Sequence, residues 1–577
     1  MPDFAVRRAT VRKRLLIVFC LTVMITLVLI GRLAWIQIVC ADELYEEAWE
    51  QWNHHVPVQT ARGSIFDRHE RLLAGNTTAK TVAALPPQIE NPEEVAAALS
   101  SVLEKEEEEI FELITADRSA VYLKRKVDPQ ISEAVQEMAI PGIVFFDEAK
   151  RYYPGGNLAS QLLGFVGMDQ GWAGLEIYYE EYLSGYEGKL LYPADNHGRQ
   201  VPHEFKQSLP PKQGYDLYLT VDETIQHIVE KQLDQVVADS APTLALAVAV
   251  DPHSGAVLAA ASRPDYNPDL YDDYDPERWS LAPFTAAFEP GSTFKVVTLA
   301  AAVEEGIYDP EEHFYCSGHV TISGRQINCW TADRGGHGDI TFQEALGASC
   351  NPAFIELGRR IGAEKLLAYI EAFGYGQLTG IDYPGESTGL IFSPEALGPM
   401  ELATTSFGQG IAVTPLQQAM AVAAMANGGY LYKPYLVEEI HDSEGNVILK
   451  REPELIRQVI STETSARLVE LMESVILEGT GKTAAVEGYR VAGKTGTAEK
   501  VGPDNSYMSD QFVYSFIGVA PVEDPQIVLY VAVDGVTKGP RYGSYTSAPL
   551  FSRIIEDVMN YLQLPPSEPE VEEADEN

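Results

Sequence analysis

The sequence predicts an α+β protein built on a five-stranded antiparallel sheet flanked by helices, with a β-rich N-terminal module and one membrane-spanning helix. Three observations carry that expectation. Two hairpin patterns, Thr243 to Ala261 and Phe512 to Val533, stand on either side of a run of helical stretches, and strands that bracket helices make α+β architecture. Arg151 to Glu204 mixes short strand-like runs with Gly and Tyr, and Leu15 to Gly31 contains no charge.

Arg7, Arg8, Arg12, Lys13 and Arg14 precede the charge-free run, and apolar residues resume from Leu33 to Val39 past Arg32. About 20 apolar residues cross the hydrocarbon core, and an arginine near its edge reaches the headgroups. Residues 15–39 therefore read as an uncleaved anchor. Basic clusters stay in the cytoplasm, so 1–14 form a cytoplasmic tail and the rest lies outside the plasma membrane. A cleaved signal peptide is the alternative, with Val39-Cys40-Ala41 near a cut. Its apolar run, however, exceeds the ~7–15 residues of an ordinary signal core.

Residues 40–206 read as the N-terminal module. His54 to Leu85 has strand-like runs with Gly and Asn turns, and Asn91 to Glu112 is acidic and helical in pattern. Gln207-Ser208-Leu209-Pro210-Pro211-Lys212-Gln213-Gly214 is a linker by composition, so a second module is drawn from Tyr215 to residue 564. Within it, Thr243 to Val250 and Ala256 to Ala261 flank the turn Asp251-Pro252-His253-Ser254-Gly255. Phe512 to Ala520 and Ile527 to Val533 flank another, and Tyr489 to Gly493 leads a fifth strand. Helices are expected from Ser292, Thr341, Glu401 and Thr462, with a closing helix near Leu550 to Leu562. The acidic tail 565–577 lacks the apolar content to fold.

The formal charge is −42 over 577 residues. Because the first 41 residues are net basic, the exterior part is more negative still, and such a surface repels nucleic acid and anionic headgroups. A hydrophobic content of 45% excludes wholesale disorder.

Chemistry enters at Glu289-Pro290-Gly291-Ser292-Thr293-Phe294-Lys295. Residues three apart on a helix are neighbours, so Lys295 can take the proton of Ser292. It can do so only if burial or other cations keep its amine neutral. About one S-x-x-K is expected by chance in a chain this long, but two further motifs accompany this one. Ser349-Cys350-Asn351 offers a second hydroxyl with a carboxamide, and Lys494-Thr495-Gly496-Thr497 lies on the fifth strand. S-x-x-K, S-x-N and K-T-G in that order form the active-site signature of penicillin-binding proteins and class A β-lactamases.

Over nearly its whole length the chain resembles the class B penicillin-binding proteins, monofunctional peptidoglycan D,D-transpeptidases. Arg62-Gly63-Ser64-Ile65-Phe66-Asp67-Arg68, Arg151-Tyr152-Tyr153-Pro154 and Gly174-Leu175-Glu176 are similar to that family's three N-terminal motifs, although His69-Glu70 replaces the usual Asn-Gly. Leu219-Thr220-Val221-Asp222 and Phe407-Gly408-Gln409-Gly410 with Thr414-Pro415 are similar to segments of its catalytic module. The resemblance implies the penicillin-binding transpeptidase fold and an acyl-enzyme on Ser292, with Lys295 as base. It further implies Ser349 as proton carrier, Asn351 as holder of Lys295 and substrate, and Lys494 as a positive field for Lys295 and the substrate carboxylate. Thr495 would bind that carboxylate and Thr497 would complete the oxyanion site. Gly496 would let the strand lie close to substrate. It implies peptidoglycan stem peptides as substrate, β-lactams as covalent inhibitors, no cofactor, and a membrane glycosyltransferase of the SEDS family as partner, in division or sporulation. Two other classes stay open: a D,D-carboxypeptidase or β-lactamase of the same superfamily, and a non-catalytic β-lactam sensor or scaffold.

His313, His319 and His337 flank Cys316 and Cys329, but no pair has a recognised zinc spacing, so no metal is expected. Outside the membrane, Cys316, Cys329 and Cys350 cannot all pair. A Cys329–Cys350 disulfide would tether the S-x-N motif, Cys316–Cys329 would staple a loop, and three reduced thiols are the third alternative. Gly408-Gln409-Gly410 lacks the ending of a phosphate loop.

Overall fold

The computed structural model describes residues 3–41, 53–58, 60–118, 120–186, 188–193, 207–209, 212–502 and 506–567. Most of the acidic tail and part of the 207–214 linker therefore lie outside the described residues. The chain forms two units, one of Met1–Thr60 with Tyr186–Lys212 and one of Ala61–Gly185 with Gln213–Asn577.

In the first unit, the helix Asp3–Ala34 continues into a wider turn at Trp35–Val39. Leu15, Phe19, Val28, Leu33 and Ile38 are all exposed. An all-round apolar surface belongs in lipid, and Lys13–Val39 is the one helix among the described residues long and apolar enough to cross a membrane. Three antiparallel strands, Asn53–Val58, Gly188–Pro193 and Gln207–Leu209, complete this unit.

The second unit holds the expected five-stranded antiparallel sheet, in the order Val257–Arg263, Leu244–Val250, Ile527–Asp534, Tyr507–Ala520, Ala492–Val501. The K-T-G strand is thus an edge. Side chains alternate across a strand, and Leu244–Val250 shows the consequence. Ala245, Ala247 and Ala249 pack in one core with Val229 and Leu233 of helix Glu223–Ser240 and Phe551 and Ile555 of helix Ser547–Leu562. Leu246, Val248 and Val250 pack in the other with Ala419, Met420 and Val422 of helix Pro415–Ala426. Every residue of that last helix is buried, and Thr414 and Gln417 close its N-terminus with a reciprocal capping box. The expected helices begin at Lys295, Phe342, Pro399, Thr462 and Ser547.

A second sheet of seven strands runs Val447–Lys450, Val437–His441, Asp216–Leu219, Ile65–Phe66, Leu72–Ala84, Val121–Val127, with Ile143–Tyr152 also paired to Leu72–Ala84. Asp216–Leu219 runs parallel to Ile65–Phe66. This sheet therefore passes straight through the composition boundary at Tyr215. The acidic stretch after Asn91 forms two helices, Pro92–Leu103 and Glu107–Ile114, separated where Glu104 turns left-handed.

Candidate active site

Ser292 sits in a tight 3₁₀ turn, Gly291–Phe294, and Lys295 opens the α-helix Lys295–Glu304 behind it. The sequence suggested one continuous α-helix. In a 3₁₀ turn residues i and i+3 eclipse rather than merely neighbour each other, so Ser292 and Lys295 leave the chain on the same side of the turn. Gly291 has φ +55°, and a Cβ there would stand 2.8 Å from the Thr497 carbonyl oxygen. Only glycine suits that position. Among the described residues the Ser292 hydroxyl makes no hydrogen bond, so it is free to turn.

Lys295 is fully buried. Its Nζ donates to the Ser349 carbonyl at 2.7 Å and to Asn351 Oδ1 at 2.7 Å, and stands 3.2 Å from Ser349 Oγ. The Phe354 ring lies 5.3 Å from the same nitrogen. Burial lowers the Lys295 pKa from 10.5 to about 8. Lys494 is equally buried, and its Nζ reaches Ser349 Oγ and the Thr495 carbonyl, both at 3.0 Å. Burial, and then the charge of Lys295, push its pKa well below the ordinary lysine value. Ser349 holds φ +53°, a left-handed conformation that costs a non-glycine residue about 1–3 kcal/mol and is concentrated at working sites.

These groups border a cavity of about 270 Å³ lined by Ser292, Ser349, Asn351, Thr495, Gly496 and Thr497 together with Trp330, Phe407, Gln409, Thr480, Tyr542 and Ser544. The structure thus gathers all three motifs. Lys494 does not line the cavity, and its amine faces Ser349; Thr495 does line it, with its hydroxyl 2.9 Å from that of Thr480. Sequence reading missed Trp330, Thr480 and Tyr542, which belong to no motif.

Gly496 lines the cavity, as expected of a strand that lies close to substrate, and it has a second constraint. A Cβ there would stand 2.2 Å from Ser515 Oγ and 2.9 Å from Thr293 Cγ2. The absent side chain lets the K-T-G strand pack on its neighbour strand and on the nucleophile turn. Gly408 holds φ +85°, and its carbonyl oxygen accepts from the Gly291 N–H at 3.0 Å. A Cβ on Gly408 would lie 2.1 Å from the Gly291 carbonyl oxygen.

The three N-terminal motifs meet one another. Glu176, fully buried, accepts from Arg62 Nε and from Arg151 Nε, each at 2.6 Å, on its two oxygens. Arg62 also pairs with Glu180 at 2.7 Å, and Arg151 donates to the Gly63 carbonyl at 2.7 Å. A Cβ on Gly63 would sit 1.8 Å from the Tyr215 carbonyl oxygen. These motifs hold a fold together rather than touch the cavity.

Cys316, Cys329 and Cys350 are all free thiols, so neither disulfide alternative is formed. The fold brings Cys316, Cys329, His337 and Cys350 together with their ligand atoms within 4.8 Å of one another, a grouping that spans sequence positions too far apart to form a recognised zinc spacing.

With this geometry in view, the likeness to known proteins is decisive. The penicillin binding protein transpeptidase domain matches residues 245–556, and the penicillin-binding protein dimerisation domain matches 57–219. The chain belongs to the class B penicillin-binding proteins. Stage V sporulation protein D of Bacillus subtilis is 42% identical over 98% of this chain and 88% of its own. Peptidoglycan D,D-transpeptidase FtsI of Escherichia coli K12 is 31% identical over 93% of this chain and 90% of its own. Among solved structures, penicillin binding protein 3 of Mycobacterium tuberculosis in complex with aztreonam superimposes with a TM-score of 0.69 at 26% identity, covering 89% of this chain and 99% of that one. In this penicillin-binding protein the sheet edge that carries K-T-G forms one wall of the cleft.

Proposed function

We propose that this penicillin-binding protein is a serine D-Ala-D-Ala transpeptidase that cross-links peptidoglycan stem peptides through an acyl-enzyme on Ser292. The observation that carries the reading is the buried Lys295 amine, with a pKa of about 8, held by Asn351 and Ser349 beside a hydroxyl that opens onto the cavity. Ser292 Oγ attacks the carbonyl carbon between two D-alanines while its proton passes to Lys295. The carbon–nitrogen bond breaks, and Ser349, in reach of both lysines, relays a proton to the departing amine. An acceptor amine on a second stem peptide then takes the acyl group and frees Ser292. The backbone N–H groups of Ser292 and Thr497 are assigned to the oxyanion, a kind of donor whose loss costs about 10²–10³ in rate. A β-lactam follows the first half of this path and stays attached.

The higher identity to a sporulation protein than to FtsI favours a sporulation role over division. Lys13–Val39 serves as the anchor, with the basic N-terminus in the cytoplasm and the catalytic unit outside. The glycan strands come from a membrane glycosyltransferase of the SEDS class. Fluorescent-penicillin labelling of the full chain, followed by stem-peptide turnover with and without an acceptor amine, tests the reading. Cross-linked dimer formed only with acceptor supports it, and labelling that survives Ser292→Ala refutes it.

A further inference from the structure

Three thiols and an imidazole from four separate elements converge behind the S-x-N motif. Cys316 ends the strand His313–Cys316 and Cys329 follows the strand Arg325–Asn328. His337 precedes the strand Gly338–Thr341, and Cys350 caps the helix Asn351–Ile361. The cysteines are buried and the histidine is partly so. His337 Nδ1 stands 3.6 Å from Cys329 Sγ. In a tetrahedron with zinc–sulfur bonds of about 2.3 Å and zinc–nitrogen bonds of about 2.0–2.1 Å, the sulfur–nitrogen edge is about 3.5 Å. The observed pair already has that spacing.

Two further facts separate this cluster from ordinary buried thiols. The His337 ring is poorly satisfied: Nε2 is buried without a partner, and Nδ1 has only the thiol and a 3.5 Å approach to Thr331 Oγ1. A metal on Nδ1 supplies the strong partner that nitrogen lacks. The surrounding segment is also thin. It consists of two-stranded ribbons, His313–Cys316 with Gly338–Thr341 and His319–Ile322 with Arg325–Asn328, and isolated two-stranded ribbons are marginal in water.

We propose that Cys316, Cys329, His337 and Cys350 bind one zinc-class divalent cation in a closed structural site. Thiolate and imidazole ligands select zinc over the hard cations that prefer oxygen, and four protein ligands leave no position for substrate. Binding releases the thiol protons to solvent and changes no oxidation state. Cation binding and a Cys329–Cys350 disulfide are mutually exclusive uses of the same sulfurs.

The site reaches the cavity through Cys350, which lies between Ser349 and Asn351. On the ribbon side, Asn351 Nδ2 donates to the Asn328 carbonyl at 3.3 Å and Trp330 Nε1 to the Ala348 carbonyl at 2.9 Å. A cation tied to both sides fixes the S-x-N motif against Trp330.

The test uses the full chain, purified in detergent with a phosphine reductant and without chelator, then supplied with zinc and desalted. Metal content read by mass spectrometry should be about one equivalent per chain, as a folded structural site holds its ion stoichiometrically. Cobalt exchanged into the wild type should show thiolate-to-cobalt charge-transfer absorption, which needs no variant to fold. Cys316→Ser and His337→Ala, both outside the catalytic motifs, should each lower zinc affinity at least tenfold. Reduced wild-type protein that retains less than about a tenth of an equivalent, or a cobalt form without thiolate absorption, overturns the proposal. Since metal content is read directly, the result stands whether or not Ser292 acylates.

Discussion

Lys494 Nζ lies 3.0 Å from Ser349 Oγ, and Lys295 Nζ approaches that same oxygen at 3.2 Å. One hydroxyl thus stands between two fully buried amines. Two ammonium ions cannot share a water-free site without repulsion, and burial already disfavours each charge. The arrangement eases deprotonation of both amines and sets Ser349 within reach of each. Lys295→Arg removes this property, because a guanidinium stays protonated. Penicillin acylation should fall by about 10²–10⁴, the usual contribution of a general base. A wild-type rate constant from stopped-flow labelling would place the base elsewhere.

The pH dependence comes from the same amine. Only deprotonated Lys295 accepts a proton, and its pKa is lowered to about 8 by burial. The acylation rate should therefore rise with pH and level off above about 8. An amine at its ordinary 10.5 would keep the rate climbing well past that plateau. Rate against pH for a neutral β-lactam, whose own charge does not change, separates these two shapes.

Much of this was legible in sequence, for physical reasons. The hairpins on either side of Asp251-Pro252 and of Pro521 to Gln526 carry turn residues between short apolar runs, and the three motifs supply the hydroxyls and amines that acyl transfer needs. What escaped reading depends on distant segments. Helix Pro415–Ala426 is buried on all sides, so its sequence has no amphipathic period to betray it. Val437–His441 joins Asp216–Leu219 and so links to Ile65–Phe66, a pairing no local pattern announces. The Cys/His cluster draws on four elements, and Trp330 and Thr480 are set by tertiary packing alone.

Glu176 binds two arginines on its two oxygens, and all three side chains are buried or nearly so. Glu176→Gln leaves Arg62 and Arg151 without that charge. Breaking one partner of a buried ion cluster costs about 3–5 kcal/mol. Calorimetry should show a clear drop in unfolding temperature, while protein kept cold still labels with penicillin, since the cluster does not border the cavity. An unchanged Tm would mean that Glu180 alone suffices to hold Arg62.

Gly496 separates a packing role from a substrate role. Its cross-strand partner is Ser515, and an added Cβ would come 2.2 Å from Ser515 Oγ and 2.9 Å from Thr293 Cγ2. Both side chains are buried, so the added Cβ either turns them out of their packing or moves the K-T-G strand away from the nucleophile turn. Overpacking of this kind costs about 1–3 kcal/mol, and a displacement of ~1 Å at reacting groups costs about 10²-fold in rate. Gly496→Ala should therefore slow acylation by about that factor and lower Tm. Ser515→Ala removes the nearest atom, so the double variant should recover part of both losses, and the two changes should be strongly non-additive because they share one contact. A Gly496→Ala protein that acylates at the wild-type rate would show that the strand has room to spare. A loss that Ser515→Ala does not relieve at all would return the glycine to the role its motif first suggested, close approach of the strand to the substrate.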